Sequence, residues 1–293
     1  MTSLLLYAVV RDGHPLPDPP PLGLGDPPEP IRLVRGRAVA GFATCPVAVV
    51  ASPVAEPVNL TDSDAERHLD ILLGLLANGP VIPLRLGSVA PDEDAVRDEI
   101  LGEAAPQLVA RLDALDSLVE VHVDADEDET TAIRAVLATD PALAGVRATA
   151  VQTTDVRTRI SLGERVADRV VMRRAEQAEQ LLDELRPFAV ADTGRGPMGG
   201  PEDPVLRWAF LVHRDPEVRH DREAPGEYEP GNGEPGPGAP RRRDLRQFDE
   251  AVERVRRGHP ELVIEYVGPL PAFHFVVGPV EPAGEPARSR WGW

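Results

Sequence analysis

The chain has no lysine, one cysteine, and only 4% aromatic residues in its 293 positions. Without lysine every fixed side-chain cation is an arginine, which we read as a bias of genome composition rather than of function. The lone Cys45 excludes an intrachain disulfide and cannot by itself build a thiolate metal cage. Set between Phe42-Ala43-Thr44 and Pro46-Val47-Ala48, it reads as a small buried hydrophobe. No apolar run approaches the roughly 18 residues that a membrane span needs, and the run Leu4 to Val10 lacks a basic leader and a small-residue cleavage site. A soluble, cytoplasmic protein without a membrane partner is expected. Positive charge is also scarce: the net charge of −18 and pI near 4.8 argue against a phosphate-binding surface, so no nucleic-acid partner is expected.

What is abundant is proline, 32 residues, within a normal hydrophobic fraction of 42%. The length fits about two domains. Leu4 to Val10 reads as a buried strand stopped by Asp12-Gly13, and Pro15 to Pro30 as a loop that cannot be helical. Ile31 to Val34 and Val47 to Ala51 are further strands. From Asp62 the apolar period becomes helical through His68, Leu69, Leu72, Leu73 and Leu76, with Asn78-Gly79 as the stop. Pro83 demotes the run 81–89 to an edge strand or irregular extended segment. A helix opening at Pro91-Asp92 is kinked or split by Pro106.

In the second half, strand 118–124, a short helix over 131–137, helix 160–186, strands 187–192 and 205–213, helix 244–257 and strand 261–267 follow one another. With the short helix set aside, that is the split β-α-β-β-α-β order of a ferredoxin-like sandwich. The fold class expected is therefore α+β in two domains: residues 1–115, a small mixed sheet with helices, and residues 116–278, ferredoxin-like. Residues 213–243, rich in Pro, Gly, Glu and Arg, read as a flexible insertion, and 279–293 as a tail. Gly268, Pro269 and Pro271 are read as a stiff turn between strand 261–267 and a second strand carrying Phe273, Phe275 and Val277.

Motifs for chemistry fail on context. Gly194 to Gly199 spells G-x-G-x-x-G, but Pro201, Pro204 and a strand pattern follow where a helix must begin. His213-Arg214-Asp215 matches part of a kinase catalytic loop without its other parts. The acidic run Asp124 to Glu129 lacks the spacing of a calcium loop, His68 and His122 stand isolated in sequence, and no G-x-S-x-G elbow is present. No catalytic residue, metal ligand or cofactor is expected, and the chain reads as a non-enzyme.

Three segments taken together, LLLYAVV (4–10), VIPLRLGSV (81–89) and VGPLPAFHFV (267–276), resemble the gas vesicle protein GvpL/GvpF family, with LVEVHVD, LGERVADR and WAFLV between them in the family's order. The family's middle motif is similar to V-L-P-L-R-F-G-T and its late motif to G-P-W-P-P-Y-S-F-V, so Leu86, Ser88, Leu270, Ala272, Phe273 and His274 depart from it. The resemblance implies a two-domain α+β accessory or minor structural protein without a catalytic site. It also implies a role in assembling the gas vesicle through contacts with a small hydrophobic shell protein and other accessory proteins. Pro83, Arg85, Gly87, Gly268, Pro269 and Pro271 are the motif positions, read as structural. Phe273 and Phe275 are expected to pack beside Tyr266; the alternative is that they, with Trp291 and Trp293, meet a partner. A ligand-binding regulatory module is the competing function, since ferredoxin-like domains often hold small effectors. An enzyme using carboxylate pairs or Cys45 is a third.

Overall fold

The computed structural model describes residues 2–37, 44–55, 60–102, 104–140, 143, 145, 156–196, 200, 203–214 and 244–276. Trp291, Trp293, Val277 and most of the expected insertion lie outside them. The chain groups into two compact units, one of Met1–Glu120 with Pro269–Trp293, the other of Val121–Gly268.

The first unit is built on β1 (Thr2–Arg11), in which Leu4 through Val10 are all buried. A strand buried on both faces has no polar alternation to show, which is why its sequence is a continuous apolar run. It pairs antiparallel with β3 (Val47–Ala55), which pairs antiparallel with β2 (Arg32–Arg35). The short strands β4 (Ile82–Pro83) and β5 (Val89–Ala90) pair with the other side of β1, giving the order β2-β3-β1-β4. All these pairings are antiparallel, where a mixed sheet was expected. Helix α1 (Asp62–Leu76) is capped at Thr61, whose N–H donates to the Asp64 carboxylate at 2.8 Å, and it buries His68, Ile71, Leu72, Leu75 and Leu76. The expected split near Pro106 is present: α2 (Glu93–Ala95) runs into a π-helical turn, Val96–Ile100, and α3 (Ala105–Ala114) begins anew with Pro106 in its first turn, where a missing N–H costs no hydrogen bond.

No helix occupies the connection from β1 to β2. Its Pro/Gly loop buries Leu24 and Ile31, and Tyr7 Oη accepts the Leu24 N–H at 2.7 Å while bonding Ser52 Oγ at 2.8 Å. Gly23 permits this approach, because a Cβ there would collide with Ser52 and the Tyr7 hydroxyl. The buried Tyr7 phenol has its pKa raised, chiefly by desolvation.

The second unit contains most of β6 (Leu118–Glu127), then α4 (Glu129–Thr139), α5 (Val156–Leu185), β7 (Ala191–Gly194), β8 (Leu206–His213), α6 (Leu245–Gly258) and β9 (Leu262–Leu270), with strand order β7-β8-β6-β9. That is the order expected of the ferredoxin-like arrangement, with the expected short helix, α4, before the long one. Val119, Val121, Val123 and Ala125 of β6 are buried at period two, and Leu181, Leu182 and Leu185 of α5 are buried at helical spacing. The aromatic part of this core is Phe210 against Phe248 at 5.1 Å and Phe248 against Tyr266 at 6.1 Å between ring centroids. Helix α6 is capped by Asp244, which accepts the Gln247 N–H at 3.0 Å.

One local expectation is corrected. Gly268 and Pro269 do not end the strand; β9 runs through them to Leu270, and Phe273 to Phe275 form a turn rather than a second strand. Among the described residues β9 is a sheet edge, where one row of backbone donors is unused and a proline is tolerated.

Candidate functional site

The motif 81–89 is the far flank of β1. Leu84 N–H donates to Tyr7 O at 2.8 Å and Leu6 N–H to Ser88 O at 2.9 Å, while Pro83 stands opposite Ala8. Between them the chain turns at Gly87, whose φ of +84° is costly for a residue with a Cβ, and Ser88 Oγ donates to Arg85 O at 2.8 Å. Of the motif positions Pro83, Arg85 and Gly87, Arg85 presents an exposed side chain. Beneath the turn His68 stacks on Tyr7, ring centroids 5.5 Å apart, and its Nε2–H donates to Leu84 O at 3.3 Å. Its buried Nδ1 has no hydrogen-bond partner, and desolvation lowers the His68 pKa below its ordinary 6.5.

The motif 268–276 meets β6. A Cβ on Gly268 would lie 2.6 Å from Val121 Cγ1 and 3.2 Å from Val121 Cα, so glycine is what lets β9 come this close. Beyond it Leu270, Pro271 and Ala272 are buried, and the turn closes with Phe273 N–H to Pro271 O at 2.7 Å. Phe273 is 39% exposed and Phe275 half-buried. The exposure of Phe273 corrects the expectation that it fills a core. The Tyr266 hydroxyl donates to Asp249 at 2.5 Å, and burial followed by that bond pushes its pKa far up.

The same turn is fastened by a residue that sequence reasoning did not select. Glu120, fully buried, accepts the His274 backbone N–H at 2.8 Å through Oε2, and His274 Nδ1 lies 2.6 Å from Oε1. A carboxylate only accepts, so Nδ1 carries the proton in this pair. His122 follows Glu120 at the two-residue period that puts both on one side of β6. The sequence shows Glu120 only as a position in an alternating strand; its partner His274 is 154 residues away.

A second buried carboxylate, Glu127, ends β6. Its Oε1 accepts from Arg173 Nη2 at 2.6 Å, its Oε2 has no partner, and its carbonyl accepts from Arg174 Nη2 at 3.4 Å. The guanidiniums on α5 thus tie that helix to the strand end, a structural arrangement without a nucleophile or paired acid.

Two α+β units with antiparallel pairings, a Pro/Gly loop in place of a first helix, and turns at 83–88 and 268–276 define the class of fold. The model of the family described as gas vesicle synthesis protein GvpL/GvpF matches residues 3–224. Gas vesicle protein F of Streptomyces sp. (strain CB03234) is 31% identical over 278 residues, covering 94% of this chain and 99% of that protein. Two crystal structures share the fold at 19% identity, each covering 94% of this chain and 99% of its own. They are GvpF from Anabaena sp. PCC7120, with a TM-score of 0.69, and GvpF from Microcystis aeruginosa, with 0.65. The chain belongs to the GvpL/GvpF family of gas vesicle proteins. Among its described residues no helix is long and apolar enough to cross a membrane.

Proposed function

We propose that this protein is a non-enzymatic accessory or minor structural component in gas vesicle formation, working in the cytoplasm and at the vesicle. It acts by contacting a small hydrophobic shell protein and other gas vesicle proteins. The observation that carries this reading is the similarity to Gas vesicle protein F along 94% of this chain. Its physical chemistry supports it: an apolar shell subunit must be kept from aggregating in water until it joins a wall, and a carrier of net charge −18 stays soluble while offering apolar surface. Such surface is present on β9 and the turn after it, where Val263 is 67% exposed, Val267 53% and Phe273 39%. An edge strand with outward apolar side chains is a template for strand addition by a partner.

The test is a pull-down of the purified protein against the co-expressed shell protein, with residues after Gly278 present or removed and with Phe273→Ser in the full chain. Binding that weakens on truncation assigns the contact to the segment with Trp291 and Trp293; binding that weakens only with Phe273→Ser assigns it to the turn. Absence of binding by the intact protein to the shell protein and to the other gas vesicle proteins overturns the reading.

A further inference from the structure

We propose that the outward side of α5 is an interface for a second copy of this chain, whose own α5 lies antiparallel on it about a two-fold axis at Met172. The observation is the order of charges along the helix. From Val156 to Arg174 six arginines stand against two acids, +4 in a chain of −18, and from Ala175 to Leu185 four acids stand without a cation. The first turn holds no acid and the last turn no base, the reverse of what the helix macrodipole favours. Arg165, Arg169 and Arg173 are also four residues apart, where like charges repel. Helix stability alone does not select this order. Arg169 and Arg173 serve the unit itself, pairing with Asp140 at 3.3 Å and Glu127 at 2.6 Å, but Arg165 is exposed and pairs with no carboxylate among the described residues.

A second copy gives the order a use. Arg165, Met172 and Glu179 follow at seven-residue spacing, nearly two turns, so each step drifts by only about 20° around the helix and the three share one side. All three are exposed, Met172 by 50%, while the buried Val170, Arg174, Ala178 and Leu181 occupy the opposite side. Arg165 and Glu179 lie equally far from Met172, about 10 Å along the axis. An antiparallel copy centred on Met172 therefore sets its Glu179 over Arg165 and its Arg165 over Glu179, the same contact made twice, as a closed two-fold pair requires. Met172 meets its own copy at the centre, and methionine and arginine are among the residue types enriched at interfaces. Within the chain Glu179 is approached only by Arg186 at 3.5 Å, with its side chain 70% exposed, so it is accessible to a copy. One helix from each chain is a small contact and exposed ion pairs each contribute little, so the dimer is weak and salt-sensitive.

The experiment is sedimentation velocity of the full-length protein from about 10 μM to about 1 mM, the range in which weak complexes dissociate, at low and high salt. Expected is a monomer–dimer equilibrium that salt shifts toward monomer. Arg165→Glu and Glu179→Arg, made singly, each place like charges at both contacts and should weaken the dimer by about tenfold or more. Both positions are exposed, where substitutions leave the fold intact. Mixed in equal amounts, the two variants restore opposite charges at both contacts and should dimerise as the parent does. A parent that stays monomeric at about 1 mM, single variants that dimerise undiminished, or a mixture that does not recover overturns the proposal.

Discussion

Glu120 and His274 stand 154 residues apart in the chain, yet the buried carboxylate of one accepts two hydrogen bonds from the other, at 2.8 Å from the backbone N–H and 2.6 Å from Nδ1. Glu120→Ala removes both acceptors at once. Charge-assisted hydrogen bonds contribute about 1.5–3 kcal/mol each, so a loss of about 3 kcal/mol in urea unfolding is expected. Amide exchange at His274 should become fast in the variant; unaltered protection there would mean that the turn is held by something else.

Gly268→Ala tests the close approach of β9 to β6. The added methyl would sit 2.6 Å from Val121 Cγ1, with the Val121 backbone only slightly farther, so rotating the valine does not clear it. A cost of about 1–3 kcal/mol is expected for this overpacking. Recovery in the double variant Gly268→Ala, Val121→Ala identifies the Val121 methyls as the obstacle; no recovery would place the strain at the strand backbone, Val121 Cα and Cβ.

Arg173 pairs with a carboxylate whose side chain is wholly buried. Arg173→Met leaves the Glu127 charge without its cation and should cost about 3–5 kcal/mol, the range for breaking a buried pair. Combining it with Glu127→Gln should restore part of that. Equal instability of the double and single variants in chemical denaturation would show that the guanidinium acts through packing alone.

His68 predicts an acid limb to stability. Its folded pKa is depressed by burial below the ordinary 6.5, so on acidification the unfolded chain takes up this proton before the folded one does. Stability from this group is complete above about pH 6.5 and is lost as pH falls through the folded pKa, with a slope of up to about 1.4 kcal/mol per pH unit. His68→Phe keeps a ring against Tyr7 and removes the titration. Unfolding free energies of the two proteins, measured from pH 7.5 down to 5, should therefore converge as pH falls, and parallel curves would rule out His68 as the source.

Where side chains repeat with a local period, the fold is legible. Leu4 to Val10 forms the central buried strand, Asp62 to Leu76 the helix, and the strand order of the second sheet follows from the β-α-β-β-α-β alternation. Proline is read less well, because its effect depends on neighbours. Pro83 and Pro269 both lie in short or edge strands, but Pro269 is compatible with a continuing strand only because nothing in the sheet lies beyond β9 among the described residues. Phe273 and Phe275 look like core by their alternation, yet the preceding Pro271 and the Glu120 anchor bend the chain into a turn before a ladder can form. Glu120 itself looks like a solvent-facing position of an alternating strand. Its burial depends on a distant histidine, and no local pattern records that.

The loop that replaces a helix between β1 and β2, and the return of residues 269–276 to the first unit, bear on how the protein is made. A nascent chain exposes β1, the most apolar strand, early, but the carboxylate that closes this unit waits for a turn synthesised after nearly everything else. Co-translational folding of the amino-terminal half is thus left one fastening short until the carboxyl-terminal motif leaves the ribosome, and its stability in the interim falls to the local contacts of β1, β3 and α1. A ribosome stalled before Gly268 would hold this unit without its Glu120–His274 fastening.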